Sequence, residues 1–75
     1  MLQPGDCGAK VEELQAMLAL YGYGIDITGV FDPPTSVVLS AFQLHFRPRK
    51  VDGLADRSTV ETLRRLLQAL PADNA

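Results

Sequence analysis

A seven-residue motif occurs twice in this chain, at an offset of 24 residues. Residues 29–35 and 53–59 both read Gly-x-x-Asp-x-x-Thr, and Leu39 and Leu63 follow the two copies at the same distance. Glycine permits a tight turn, aspartate is a favoured N-cap, and a threonine in the first helical turn can satisfy a free backbone N–H group. The repeat therefore predicts a turn that leads into a helix, made twice on one chain.

Three stretches of the chain carry the apolar spacing of an amphipathic helix. They cover about residues 9–21, 33–46 and 57–70. Apolar residues recur on one face of each stretch: Val11, Leu14, Leu18 and Tyr21 in the first, Val38, Phe42 and Phe46 in the second, and Val60, Leu63, Leu67 and Leu70 in the third. We therefore predict an all-α fold, a compact three-helix bundle with long ordered loops. Residues 24–28 have a weaker pattern that could form a short strand.

The predicted helix boundaries rest on residues with marked terminal preferences. Gly22 ends the first helix, because glycine readily adopts the left-handed conformation of a C-terminal cap. Asp32 caps the second helix, and Pro33 takes the first helical position, where its missing N–H group costs nothing. Either Asp56 or Ser58 caps the third helix, the latter as part of a capping box.

The length of 75 residues limits the chain to one domain. We assign residues 1–75 to that domain, with a core at about 5–70 and a tail at 71–75. A chain this short buries only about 60% of its unfolded surface, which leaves little room for a catalytic cleft. Its one cysteine, Cys7, and its one histidine, His45, cannot supply the four ligands of a structural zinc site. We therefore expect no enzymatic activity, no metal and no cofactor in this chain.

The net charge of −2 argues against nucleic acid as the partner. A DNA-binding three-helix domain is the alternative that the pair Arg64-Arg65 would allow. The sequence has no apolar run of roughly 18 residues, so we expect no contact with a membrane through a spanning helix. Its first residues lack the basic and apolar regions of a signal peptide, so any export signal is expected upstream in a longer parent.

Three patterns of spaced residues follow one another along the chain. They are Gly5-Asp6-x-Gly8-x-x-Val11-x-x-Leu14-Gln15-x-x-Leu18, Gly29-x-Phe31-x-x-x-Thr35-x-x-Val38-x-x-Phe42-Gln43 and Asp52-Gly53-x-x-Asp56-x-x-Thr59-x-x-x-Leu63. In this order and spacing they resemble the peptidoglycan-binding domain family of bacterial cell-wall hydrolases, over residues 5–67. Two positions depart from the commoner family pattern, since Thr28 stands in place of an aspartate and Asp32 in place of a glycine.

The segment Ala41-Phe42-Gln43-Leu44-His45-Phe46-Arg47-Pro48 narrows the resemblance. It is similar to the C-terminal domain attached to zinc-dependent N-acetylmuramoyl-L-alanine amidases, which cut the bond between the muramic acid lactyl group and the first stem-peptide alanine. The resemblance implies a non-catalytic module that targets an upstream hydrolase domain to peptidoglycan in the bacterial cell envelope, either periplasmic or extracellular. The alternative is a structural domain that positions the catalytic domain without binding the wall itself.

Five residues are candidates for contact with peptidoglycan: Tyr23, Gln43, Arg47, Arg49 and Asp52. Tyr23 lies off the apolar stripe, and its ring and hydroxyl group suit a sugar or peptide surface. Arg47 and Arg49 could pair with the carboxylates of stem peptides. Gln43 and Asp52 have a second interpretation, in which the amide ties down a loop and the carboxylate fixes a turn. The expected ligand is the stem peptide with its adjacent sugar.

Overall fold

The computed structural model describes residues 2–46 and 51–69. It contains helix α1 over Ala9–Tyr21, helix α2 over Pro33–Phe46 and helix α3 over Arg57–Ala69. The all-α prediction is confirmed, and α1 and α2 have the predicted bounds. The predicted last residue of α3, Leu70, lies outside the described residues. None of the three described helices has the length and apolar character that crossing a membrane requires.

The short strand considered for residues 24–28 is absent from the described structure. These residues have no regular backbone structure, because no neighbouring strand lies beside them to share a ladder of hydrogen bonds. Isolated backbone bridges instead join the N-terminal segment to the two loops, where Leu2 pairs with Ala55 and Cys7 pairs with Val30. The segment before α1 is thereby held against the turns that precede α2 and α3.

Gly22 ends α1, as predicted. It has a φ of 119° and lies in the left-handed conformation. The N–H group of Gly22 donates to Ala19 O, and that of Tyr23 donates to Leu18 O, both at 3.1 Å. These two bonds form a Schellman motif, which satisfies carbonyl groups that the last turn of a helix would otherwise leave free.

Asp32 and Asp56 cap the two helices of the repeat in the same way. The Asp32 carboxylate accepts from Thr35 N–H at 3.2 Å, and the Asp56 carboxylate accepts from Thr59 N–H at 2.8 Å. Of the two caps predicted for α3, Asp56 is therefore confirmed. The alternative cap, Ser58, is wrong because Ser58 already lies inside the helix.

Asp32 should make the stability of the fold depend on pH in the acid range. The Thr35 hydroxyl group donates to the Asp32 carboxylate at 2.6 Å and lowers the pKa of that carboxyl below its ordinary 3.8. Such a carboxyl stabilises the fold fully above about pH 4, and this stabilisation is lost as the pH falls through the folded-state pKa. Wild type should therefore melt at a higher temperature than Asp32→Asn at neutral pH, and the difference should shrink in acid.

The control for this experiment is Asp26→Asn, which removes the same charge from an exposed loop position. Circular dichroism melts of wild type and both variants between neutral pH and about pH 3 give the comparison. A melting-temperature difference between wild type and Asp32→Asn that is the same at both ends of this range would contradict the role assigned to Asp32.

The core lies where the three helices meet the turns that precede α2 and α3. Its buried apolar residues are Val11, Leu14, Leu18, Phe31, Leu39, Phe42, Ala55 and Leu63. α1 packs against both α2 and α3. The fully buried ring of Phe42 lies 6.4 Å from that of Tyr23 and 5.0 Å from that of Phe46, between centroids. The apolar stripes predicted for the helices thus contribute to a single core.

Gln15 is fully buried and holds the turn that leads into α2. Its Oε1 accepts a hydrogen bond from Gly29 N–H at 2.9 Å. Its Nε2 donates to Val30 O at 3.0 Å and to Thr35 Oγ1 at 2.9 Å. Gly29 has a φ of 79°, a conformation that glycine adopts without strain. We call these contacts the first glutamine clamp, through which one side chain of α1 fixes the start of α2.

Gln43 of α2 makes the same contacts one repeat later, and we call them the second glutamine clamp. Its Oε1 accepts from Gly53 N–H at 2.9 Å, and its Nε2 donates to Thr59 Oγ1 at 3.2 Å. Asp52 takes the position that Thr28 has in the first clamp, since each places a side-chain oxygen 3.2 Å from the glutamine Nε2. The repeated threonine thus accepts from the glutamine of the preceding helix, a role that the sequence pattern did not indicate.

Candidate functional site

A groove of about 370 Å³ lies between α1 and α3. Its floor consists of apolar side chains that are buried or half-buried: Leu2, Leu14, Met17 and Val60. Its rim consists of charged residues, which are the exposed Lys10, Glu13, Arg57, Glu61 and Arg64 and the half-buried Asp56. Six of the eleven residues that line the groove are charged, so a small apolar floor lies inside a strongly charged rim. We call this feature the α1–α3 groove.

One ion pair crosses the groove from α3 to α1. Arg64 Nη2 lies 3.4 Å from Glu13 Oε1, and the two side chains are 57% and 60% exposed. A second pair, Arg57 with Glu61 at 3.8 Å, lies along α3. Exposed pairs of this kind contribute only about 0–1 kcal/mol to stability. A charged group of a ligand could therefore replace one partner of either pair at little cost to the fold.

Lys10 adds a positive charge to the α1 side of the groove. In the part of the chain that the structure describes, no ion pair joins Lys10 to another residue. Lys10 lies three positions before Glu13, so the two side chains project from the same face of α1. Both walls of the groove therefore carry a cation, Lys10 on α1 and Arg64 on α3, that could bind a carboxylate.

The described residues among the five predicted contacts do not line this groove. Tyr23 is half-buried with its ring against that of Phe42. This burial raises the pKa of the Tyr23 hydroxyl group, and the neighbouring Tyr21 raises it further. Arg47 and Arg49 lie outside the described residues. Contact of Tyr23, Arg47 or Arg49 with peptidoglycan stays a prediction.

Gln43 and Asp52 both contact the chain itself. Gln43 is fully buried, and the second glutamine clamp uses both its amide oxygen and its amide nitrogen. Asp52 Oδ1 accepts from Leu54 N–H at 3.0 Å and from Gln43 Nε2 at 3.2 Å. These contacts are the ones expected of a loop-fixing glutamine and a turn-fixing aspartate. Direct contact of either residue with a ligand stays a prediction.

The residues of the α1–α3 groove carry no local signal that marks them as a site. Charged residues normally flank the apolar stripe of a surface helix, and Glu13 and Arg64 both have such positions. Their grouping depends on the packing of α1 against α3, which brings together residues that are 51 positions apart. The sequence does show charged residues at the edges of the apolar stripes of α1 and α3. They indicate a groove only when these two helices are known to be neighbours.

Two residue types that often mark functional sites have no assigned role here. Cys7 is a free, exposed thiol, and His45 is exposed with its ring edge-on to Phe46, 4.5 Å between centroids. Among the described residues, no group of three or more histidine, cysteine, aspartate or glutamate side chains is arranged to hold a metal ion. The α1–α3 groove, with its apolar floor and charged rim, is thus the surface that we take as the candidate ligand site.

A comparison with known protein families matches residues 7–63 to the peptidoglycan binding domain. The matched region contains α1, α2 and the first part of α3, together with both glutamine clamps. No significant match was found among curated proteins or among solved structures. Because the matched region is well over half of the 75 residues, this chain belongs to the peptidoglycan-binding domain family.

Proposed function

We propose that this domain is the wall-targeting module of an N-acetylmuramoyl-L-alanine amidase. The binding part of the proposal is carried by the family match over residues 7–63, since that family comprises binding domains rather than enzymes. The amidase part is supported by the resemblance of residues 41–48 to the C-terminal domains of zinc-dependent amidases. A module of this kind works in the bacterial cell envelope, periplasmic or extracellular.

A weakly binding domain can target an enzyme to a polymer when the two are covalently linked. The α1–α3 groove is shallow and bordered by exposed ion pairs, so its affinity for one unit of the polymer should be modest. When the binding domain is covalently linked to a catalytic domain, the second of the two to contact the wall does so intramolecularly. This can raise the overall avidity by about 10²–10⁴-fold without a new contact. A weak groove is therefore sufficient for targeting.

The 75-residue domain should sediment with purified peptidoglycan sacculi. We expect the bound fraction to saturate with protein concentration and to decrease at high salt, because the groove is bordered by exposed charges that salt screens. An unrelated acidic three-helix domain of similar size serves as the control for protein that is trapped in the pellet without binding. Recovery no greater than that of the control would contradict wall binding and would support the alternative, a domain that only positions its catalytic partner.

The amidase part of the proposal requires the parent protein. We expect an upstream catalytic domain with the histidine ligands of a zinc amidase. Removing residues 1–75 from that parent should slow the hydrolysis of insoluble sacculi by about tenfold or more, while hydrolysis of a soluble muropeptide stays unchanged. Equal loss on both substrates would support the positioning role instead, and an upstream domain of another bond specificity would contradict the amidase assignment.

A further inference from the structure

We propose that the α1–α3 groove binds the stem peptide of peptidoglycan, with a peptide carboxylate on Arg64 in place of Glu13. This inference rests on the proposed function, because family membership names the polymer. It adds the groove that binds this part of the polymer and the residues that contact it.

The floor of the groove suits a peptide better than a sugar. Leu2, Met17 and Val60 present flexible or branched apolar side chains, against which the methyl groups of alanine residues can pack. None of the described residues that line the groove is aromatic, so the groove has no ring face on which a sugar could stack. Stem peptides are rich in alanine, whereas the glycan strands are not peptidic. The composition of the floor therefore favours the peptide part of the polymer.

Individual cations of the groove could bind carboxylates of the same ligand. A stem peptide has several free carboxylates, at its D-glutamate and at its C-terminal alanine. Three cations, Lys10, Arg57 and Arg64, line the groove together with three carboxylates, and a cation lies on each wall, Lys10 on α1 and Arg64 on α3. An arginine can hold a carboxylate through two parallel hydrogen bonds, which fixes the orientation of the ligand. The repeating N-acetylated sugars of the glycan have mostly neutral groups, so they would form fewer ion pairs with these cations.

Glu13 acts as an internal competitor for the ligand. It contacts Arg64 Nη2 through Oε1 at 3.4 Å, a long distance for a charged hydrogen bond, and both side chains are more than half exposed. A ligand carboxylate with both oxygens on Arg64 would replace this long contact with a better one. Removing Glu13 should therefore free Arg64 for the ligand, while removing Arg64 should remove the ligand's partner. The two substitutions break the same ion pair and should have opposite effects on binding.

The test is a titration of the 75-residue domain with two soluble probes. The first is the disaccharide N-acetylglucosaminyl-N-acetylmuramic acid bearing a tetrapeptide, and the second is its peptide-free form with the lactyl carboxyl group amidated. Isotope labelling of the methionine methyl groups reports on the groove floor through Met17. We expect the Met17 signal to shift with the tetrapeptide probe and to stay unchanged with the disaccharide.

Three variants complete the experiment. Arg64→Gln should weaken binding of the tetrapeptide probe by about five- to tenfold, and Glu13→Gln should leave it unchanged or strengthen it. Arg65→Gln is the matched control, since Arg65 is the exposed neighbour of Arg64 on α3 and does not line the groove. It should bind as wild type does. Urea unfolding should show equal, small changes for Arg64→Gln and Glu13→Gln, because each loses the same surface ion pair.

The outcomes separate this inference from the proposed function. Wild type that fails to sediment with sacculi would contradict the proposed function itself. Sedimentation without a Met17 response to the tetrapeptide probe would contradict only the groove, as would an equal response to the disaccharide. Equal weakening by Arg64→Gln and Glu13→Gln would show that the ion pair has a structural role alone, and would also overturn the inference.

Discussion

Replacing Gln15 with leucine should lower the free energy of unfolding by about 3 kcal/mol. The two side chains have similar volumes, so the effect comes from hydrogen bonds and not from a cavity. Gly29 N–H would lose the acceptor that it now contacts at 2.9 Å in a buried position, and an unsatisfied buried group costs about 1–3 kcal/mol. Val30 O and Thr35 Oγ1 each keep a second hydrogen-bond partner, so their losses should be near 1 kcal/mol or less. Urea unfolding followed by circular dichroism measures the difference.

Two other glutamines test this explanation. Gln43→Leu should be less destabilising than Gln15→Leu, because the Gly53 N–H group that it affects is only partly buried. Gln68→Leu changes an exposed glutamine on α3 and should stay within about 0.5 kcal/mol of wild type. Equal stability of Gln15→Leu and Gln68→Leu would contradict the first glutamine clamp. Loss of wall binding without loss of stability in Gln43→Leu would support Gln43 as a ligand contact.

Phe42→Ala should destabilise the domain by about 3–5 kcal/mol, because it leaves a cavity at the centre of the core. Phe42 has no exposed surface, and its ring packs against those of Tyr23 and Phe46. At roughly 0.05–0.15 kcal/mol per residue, a chain of this length has about 4–11 kcal/mol of stability in total. The substitution should therefore abolish the cooperative thermal transition, or lower its midpoint steeply, in circular dichroism melts.

Leu44→Ala is the matched control for the Phe42 substitution. It removes an apolar side chain from the same helix, but Leu44 is 65% exposed, so the change should stay within about 0.5 kcal/mol. Phe42→Leu is a milder substitution for the case in which the alanine variant does not fold. It leaves a smaller cavity and should lower the free energy of unfolding by about 1–2 kcal/mol. A urea midpoint of Phe42→Ala or Phe42→Leu equal to that of Leu44→Ala would contradict the central position assigned to Phe42.

The helix boundaries were predictable where they depend on residues of the same turn. Gly22 ends α1 and Asp32 begins α2 through bonds that span five residues or fewer. The start of α3 was ambiguous in the sequence, because both Asp56 and Ser58 are good N-caps. A contact distant in sequence agrees with Asp56 as the N-cap. Gln43 binds the hydroxyl group of Thr59, and Thr59 lies three residues after Asp56, as Thr35 lies three residues after Asp32 in the first copy of the motif.

The candidate site was much less predictable than the helices. Tyr23 lies off the apolar stripe of α1, which suggests exposure, but the turn at Gly22 brings its ring back against Phe42. Glu13 and Arg64 belong to helices at opposite ends of the chain, and their contact at 3.4 Å is a property of the packed bundle. Helical spacing says which residues share a face, but it does not say which faces meet.

The two glutamine clamps hold similar turns although the glutamine and the glycine that it binds are separated by different numbers of residues. Gln15 lies 14 positions before the glycine that it binds, and Gln43 lies 10 positions before its own. The clamp therefore constrains the turn itself and tolerates a different number of residues between the glutamine and that turn. A foreign epitope grafted between residues 23 and 27 would lengthen the first connection without shifting the register of α2, which would allow a label to be displayed on a domain seated on the cell wall.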